Sequence, residues 1–275
     1  MDTSHCLNCN KTLEEQVKFC PECGQSRNVH RFTMANFIHE GFHAFTHTDR
    51  GIFHLLKELA LRPGTTARSF IRGKRKSYFN PFTFFLILMG VFVLSNSYFK
   101  KERRVAEPSA RVLQNIPTEE GKKKYLITMD RVNKSAGFFN KHGNVVAMIA
   151  VPFISMFTFL FFRRKGFNYA EHLTANMMFV AFSNLIFTLI IFPLSGLVEP
   201  DKRYVFTALA MLLQVLYFGW ALNGFLDLKK AGARTKSFLV SLLAIILWAI
   251  FSVSMMAVYI YQSGDFYQFF TKGRS

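Results

Sequence analysis

The sequence predicts an α-helical integral membrane protein of about five transmembrane helices with a small cysteine-rich unit at its N-terminus, and three observations predict it. First, the 275 residues are 51% hydrophobic and include 33 Phe, and mean hydropathy is +0.18 despite 34 Lys+Arg and 17 Asp+Glu. The apolar residues must therefore be gathered in blocks, which excludes a disordered chain and argues against an ordinary soluble domain. Second, five blocks at 79–99, 144–162, 173–194, 204–226 and 237–261 contain no Asp, Glu, Lys or Arg. Each is close to the length of about 20 residues that crosses a bilayer. Third, all four cysteines stand near the N-terminus, from Cys6 to Cys23.

Residues 1–28 carry the cysteines. Cys6, Cys9, Cys20 and Cys23 read C-x2-C-x10-C-x2-C. Two such knuckles turn four thiolates toward one metal ion, at about 2.3 Å each for zinc. Pro21 stiffens the second knuckle and Gly24 permits the tight turn behind it. Two disulfides would also consume four cysteines, but paired x2 spacings are a metal pattern and no signal-like segment precedes them. The expectation is a zinc ribbon with one structural ion, iron being the other metal that suits four sulfurs. Four thiolates close the shell, so the site is structural and not catalytic. Thiolates persist in a reducing compartment, which puts the N-terminus in the cytoplasm.

Residues 29–78 follow. Phe37, Ile38, Phe42, Phe45, Ile52, Phe53, Leu55, Leu56 and Leu59 recur near helical spacing, which predicts two short amphipathic helices lying on the bilayer and broken near Asp49–Gly51. Arg62-Pro63-Gly64 is a further break. Arg68, Arg72, Lys74, Arg75 and Lys76 then stand directly before the first span. Abutting a span, they read as contacts to anionic lipid headgroups more readily than to nucleic-acid phosphates. The ribbon itself has no basic face, so nucleic acid is disfavoured and a protein partner is expected there.

The membrane domain is 79–261, followed by a tail, 262–275. Basic loops set its orientation. Arg163, Arg164 and Lys165 follow the second span, and Lys229, Lys230, Arg234 and Lys236 separate the last two. With five spans these loops share the side of the ribbon. The connection 100–143 then lies outside, although it holds 11 Lys+Arg against 5 Asp+Glu, and so does the C-terminus. The expected location is the cell inner (plasma) membrane. Were the first block re-entrant, ribbon and later basic loops would part company.

The runs FCPECGQ, THTDRGIFHLLKELALRPG and FIRGKRKSYFNPFTFF resemble a bacterial membrane-protein family catalogued as domain of unknown function 3667. The resemblance runs from the cysteines into the first span. It implies a cytoplasmic zinc ribbon on a multi-span membrane domain and supplies no catalytic residue.

Other constellations carry weaker signals. His39-Glu40-Gly41-Phe42-His43 fits H-E-x-x-H, in which two imidazoles hold zinc and the Glu activates water. The third ligand would come from His47, Asp49, His54 or Glu58. A polar interfacial helix face explains the same residues. Asn176, Asn184, Gln214 and Asn223 are the polar residues at depth, with Pro152 and Pro193 as kink points. They fit hydrogen bonding between helices, or a polar path for a solute. The spans hold no acidic or basic residue of the kind ion coupling uses.

The leading functional expectation is an interaction, assembly or regulatory module, not an enzyme. The alternatives are a transporter or channel for a small uncharged or anionic solute, and a membrane metalloprotease using His39, Glu40 and His43.

Overall fold

The computed structural model describes residues 4–14, 17–29, 31–37, 51–98 and 107–261. His39, Glu40, His43, His47 and Asp49 lie outside the described residues, as does the tail 262–275. Among the described residues, all regular structure after the cysteines is helical.

Helix α1 (Ile52–Leu61) is the second of the two helices read as amphipathic, most of the first lying outside the described residues, and helix α2 (Pro63–Ile71) forms instead from the stretch read as a break and the start of the basic run. Arg62 separates them in a non-helical conformation (φ −153°), because the residue before a proline is driven out of the α region. Pro63 then opens α2 at a position that needs no N–H donor. Leu55, Glu58 and Leu59 bury one face of α1, and Ala67, Phe70 and Ile71 do so for α2. Both pack into the core of the helical domain.

Glu58 is only 5% exposed and binds Arg62 Nε and Nη2 at 2.6 and 3.0 Å. The hydrogen bonds from Arg62 hold its carboxyl below the usual range, against the opposing effect of burial. The folded value is thus below the unfolded one. Stability from this pair is present above the ordinary Glu value of about 4.3 and is lost as pH falls through the depressed folded value. Glu58→Gln should therefore show a flatter fall of thermal midpoint below about pH 4 than the parent does, and parallel acid profiles would contradict it.

The membrane domain comprises α3 (Pro81–Tyr98), α4 (Ala110–Asn115), α5 (Glu119–Lys141), α6 (Gly143–Phe162), α7 (Tyr169–Ile186), α8 (Phe192–Leu197), α9 (Arg203–Leu226) and α10 (Ala231–Tyr261). Helix α7 is central, touching α1, α2, α3, α6 and α9, and residues 170–181 are all buried. One π turn, Phe187–Ile191, joins α7 to α8. The wider turn leaves room for the ring of Pro193, which in a regular helix clashes with the carbonyl four residues back. Helices α9 and α10 expose Leu209, Leu213, Leu239, Ile250 and Val253 on their outer faces, a continuous apolar surface that suits lipid and not water.

Four stretches are long and apolar enough to cross a membrane: Val145–Lys165, Tyr169–Leu197, Arg203–Leu226 and Ala231–Tyr261. They match the last four expected spans. The first block forms α3, whose 18 residues reach about 27 Å at 1.5 Å per residue, close to a hydrocarbon core of about 30 Å. It does not turn back. Its start adjoins the seat of the cysteine unit, while Phe92 stacks near Phe192 at 6.1 Å and lies against Gly143 at the start of α6. Helix α3 therefore runs from one end of the bundle to the other.

Candidate metal centre and its seat on the membrane domain

The two knuckles are built alike. Cys6 N–H donates to Lys11 O at 2.8 Å and Asn10 N–H to Cys6 O at 2.9 Å; Cys20 N–H donates to Gln25 O at 2.8 Å and Gly24 N–H to Cys20 O at 2.9 Å. The turn closes on a left-handed residue each time, Asn10 (φ 63°) and Gly24 (φ 69°). These are the residue types that take that conformation most readily. Among the described residues, each knuckle carries one isolated β-bridge, His5–Thr12 and Phe19–Ser26.

All four sulfurs lie within 4.8 Å of one another, with Cys6–Cys23 and Cys9–Cys20 at 3.5 Å. A tetrahedral zinc site needs sulfurs about 3.8 Å apart, so the residues present fit a metal ion. The acidities point the same way. At Cys9 a hydrogen bond with the Lys11 backbone favours the thiolate, but loss of water and the three other sulfurs outweigh it, and the thiol is pushed up to about 12. At Cys23 burial opposes ionisation, yet hydrogen bonds from the Gln25 backbone and the Asn8 side chain bring it down to about 7. Four thiolates this close ionise together only around a cation.

Two knuckle side chains fasten the unit to the loop between α2 and α3. Asn8 Oδ1 accepts from Ser77 N–H at 3.0 Å and Ser77 Oγ at 2.5 Å. Gln25 Oε1 accepts from Arg75 N–H at 3.3 Å and Lys76 N–H at 2.9 Å. Just after the knuckles, Arg31 binds both oxygens of Glu171 at 2.9 Å, which raises the Arg31 pKa through that hydrogen bond. Asn168 donates to Phe32 O at 2.8 Å and, with Glu171, closes a capping box at the start of α7.

Of the five basic residues before the first span, Arg68 pairs with Asp227 at 3.0 Å and Arg75 lies 4.8 Å over the ring of Phe32. Arg72 and Lys76 are exposed and Lys74 is half-buried. These contacts bring the cysteine unit, the 72–77 loop, the 163–168 turn and Asp227 to one end of the bundle.

Residues 49–93 match the model of a family described as a protein of unknown function, DUF3667. Over that stretch the chain is similar to DUF3667. Neither the curated proteins nor the solved structures gave a match. The DUF3667 stretch comprises α1, α2, the basic loop and most of α3, so the matched segment is the seat and not the knuckles.

Behind this seat lies a polar cluster. His172 is fully buried, its Nδ1 3.1 Å from Thr158 Oγ1 and its ring edge-on to Phe159, Phe167 and Phe225. Asn176 donates to Thr158 Oγ1 at 2.9 Å and Ser155 Oγ at 3.2 Å. Asn223 accepts from Ser237 at 2.9 Å. Asn176 and Asn223 thus join neighbouring helices, the bundle role expected for them. Of the proposed third ligands of the H-E-x-x-H motif, the two described ones have other company: His54 stacks on Tyr78 at 5.7 Å and Glu58 is held by Arg62.

Proposed function

We propose that this chain is a multi-pass protein of a bacterial inner membrane whose N-terminal knuckles hold one structural zinc ion on the cytoplasmic face and serve as an interaction or assembly module. The observation that carries the reading is an exposed aromatic on a knuckle unit that is itself fastened. The unit is fastened to the 75–77 loop through Asn8 and Gln25. The unit also presents Phe19, 62% exposed, and pairs Lys11 with Glu22 at its surface. An exposed aromatic on a rigid platform is an anchor for a protein partner. Four sulfur ligands leave no open position for chemistry.

The end bearing the knuckles also bears Arg72, Lys74, Lys76, Arg163, Arg164, Lys165, Lys229 and Lys230, which supports its cytoplasmic placement. Arg72, Lys74 and Lys76 meet anionic headgroups there, each contributing about 1 kcal/mol.

Phe19→Ser tests the module. Captured from intact membranes after cross-linking, the parent should bring down a defined protein that the variant loses by about tenfold or more. Zinc content and chain level should stay equal in the two. Identical captured sets would reject Phe19 as the contact and the module reading with it.

A further inference from the structure

A cavity of about 340 Å³ opens beside the seat, at the small end of the range for ligand sites. Three cations reach it from three separate segments: Arg31 from the link after the knuckles, Arg72 from the end of α2, and Lys165 from the turn after α6. Its one carboxylate, Glu171, is already engaged by both arms of Arg31 and by the Asn168 backbone N–H at 2.7 Å. That pair is neutral. Arg72 and Lys165 are left as two surplus positive charges, and among the described residues neither side chain has an ion pair or hydrogen bond.

Two like charges converging on one cavity repel unless an anion lies between them. Arginine and lysine together are also the pair that suits a phosphate, the first as a flat fork and the second as a point charge. The remaining wall includes Ile71, 5% exposed, and Phe167. The apolar run of α6 ends at Phe162, three residues before Lys165. The cavity therefore sits where hydrocarbon gives way to headgroups, with an apolar wall beside a cationic mouth.

We propose that this cavity binds a phosphate group, held by Arg72 and Lys165 beside the Arg31–Glu171 pair. The phosphate comes either from a phospholipid headgroup or from free inorganic phosphate. The site goes beyond general headgroup attraction, since it names two residues from distant segments, and it does not depend on the metal or on Phe19.

The test uses the full chain purified in detergent, with the Arg72→Gln/Lys165→Gln variant. Lys229→Gln/Lys230→Gln, with the same charge change at the same end but outside the cavity, is the control. In one arm, native mass spectrometry compares retention of phosphatidylglycerol with that of a phosphate-free galactosyl diacylglycerol. In the other, the thermal midpoint is read in sodium phosphate against sodium chloride at equal ionic strength.

A lipid phosphate predicts that the parent and control retain phosphatidylglycerol about tenfold better, and that the Arg72/Lys165 variant falls to parity. A free phosphate predicts no lipid preference but a midpoint raised by phosphate in parent and control alone. If the parent responds in neither arm, or the cavity variant responds as the parent does, the proposal is overturned. Should the double variant not fold, Lys165→Gln alone is read in both arms. It changes one exposed side chain and should lower the response about threefold or more. An unchanged response overturns the proposal equally.

Discussion

Cys20→Ser is expected to empty the metal site and release the knuckles from the membrane domain. Among the described residues, the buried cluster of this unit is Cys6, Leu13 and Cys20. A unit below about 40 residues needs metal, disulfides or a partner to hold its fold, and all four cysteines are free thiols. A metal ion held there would therefore supply the folding energy, on the order of 10–16 kcal/mol for structural zinc sites. Asn8 carries the consequence outward: its side chain hydrogen-bonds Cys23 while its Oδ1 accepts from Ser77. When the knuckles open, Gln25 leaves Arg75 and Lys76 as well. Metal per chain should fall from about one to near zero by elemental analysis, and the amides of residues 75–77 should exchange about tenfold faster or more. Asn8→Ala with Gln25→Ala separates the two effects, since it should keep the metal and lose the protection. A Cys20→Ser protein that retains its metal would remove the site altogether.

What the sequence makes legible is local. Knuckle spacing is a four-residue matter, and a charge-free run of about 20 residues is visible without knowing its neighbours. The seat is invisible for the opposite reason. Arg31 meets Glu171 across 140 positions and Ser77 meets Asn8 across 69, and no periodicity announces such pairs. Arg68 and Arg75 group with their neighbours by charge alone, yet one answers Asp227 and the other covers Phe32. Other signals are present in the sequence and easily missed. Asn10 stands where Gly24 does in the second knuckle, and Asn168-x-x-Glu171 is a capping-box spacing at the start of α7. The length of α3 is a subtler case: its apolar block starts at Phe79, but the helix opens only at Pro81, and a proline at N1 is a start signal. The Arg62-Pro63-Gly64 triplet is legible as a break between helices. Its second role, close approach, is not, because the partner backbone at Ala221–Phe225 is remote in sequence.

That second role predicts the largest packing effect in the membrane domain. A Cβ built on Gly64 would fall onto the backbone of α9, meeting Ala221 O and Phe225 N–H and coming within 2.6 Å of Gly224 C. None of these is the movable end of a side chain, so α2 and α9 must separate to admit even a methyl group. Small residues are what let helix backbones approach this closely in a membrane, and overpacking such a contact costs about 3 kcal/mol. Gly64→Ala should therefore lower the thermal midpoint in detergent by about 5–10 °C. Gly224→Ala should cost less, because its Cβ would meet Gly64 Cα at 3.1 Å, a contact that a small shift relieves. Gly90→Ala meets nothing within 4 Å and should be neutral or stabilising by up to about 1 kcal/mol. The displacement also has an address. The far end of α2 holds Arg68 against Asp227 and leads into the loop that receives Asn8 and Gln25. Gly64→Ala should therefore speed exchange of the 75–77 amides while metal content stays at the parent level. That combination distinguishes a displaced seat from an emptied metal site. A midpoint within about 1 °C of the parent would mean that the two backbones are not in contact.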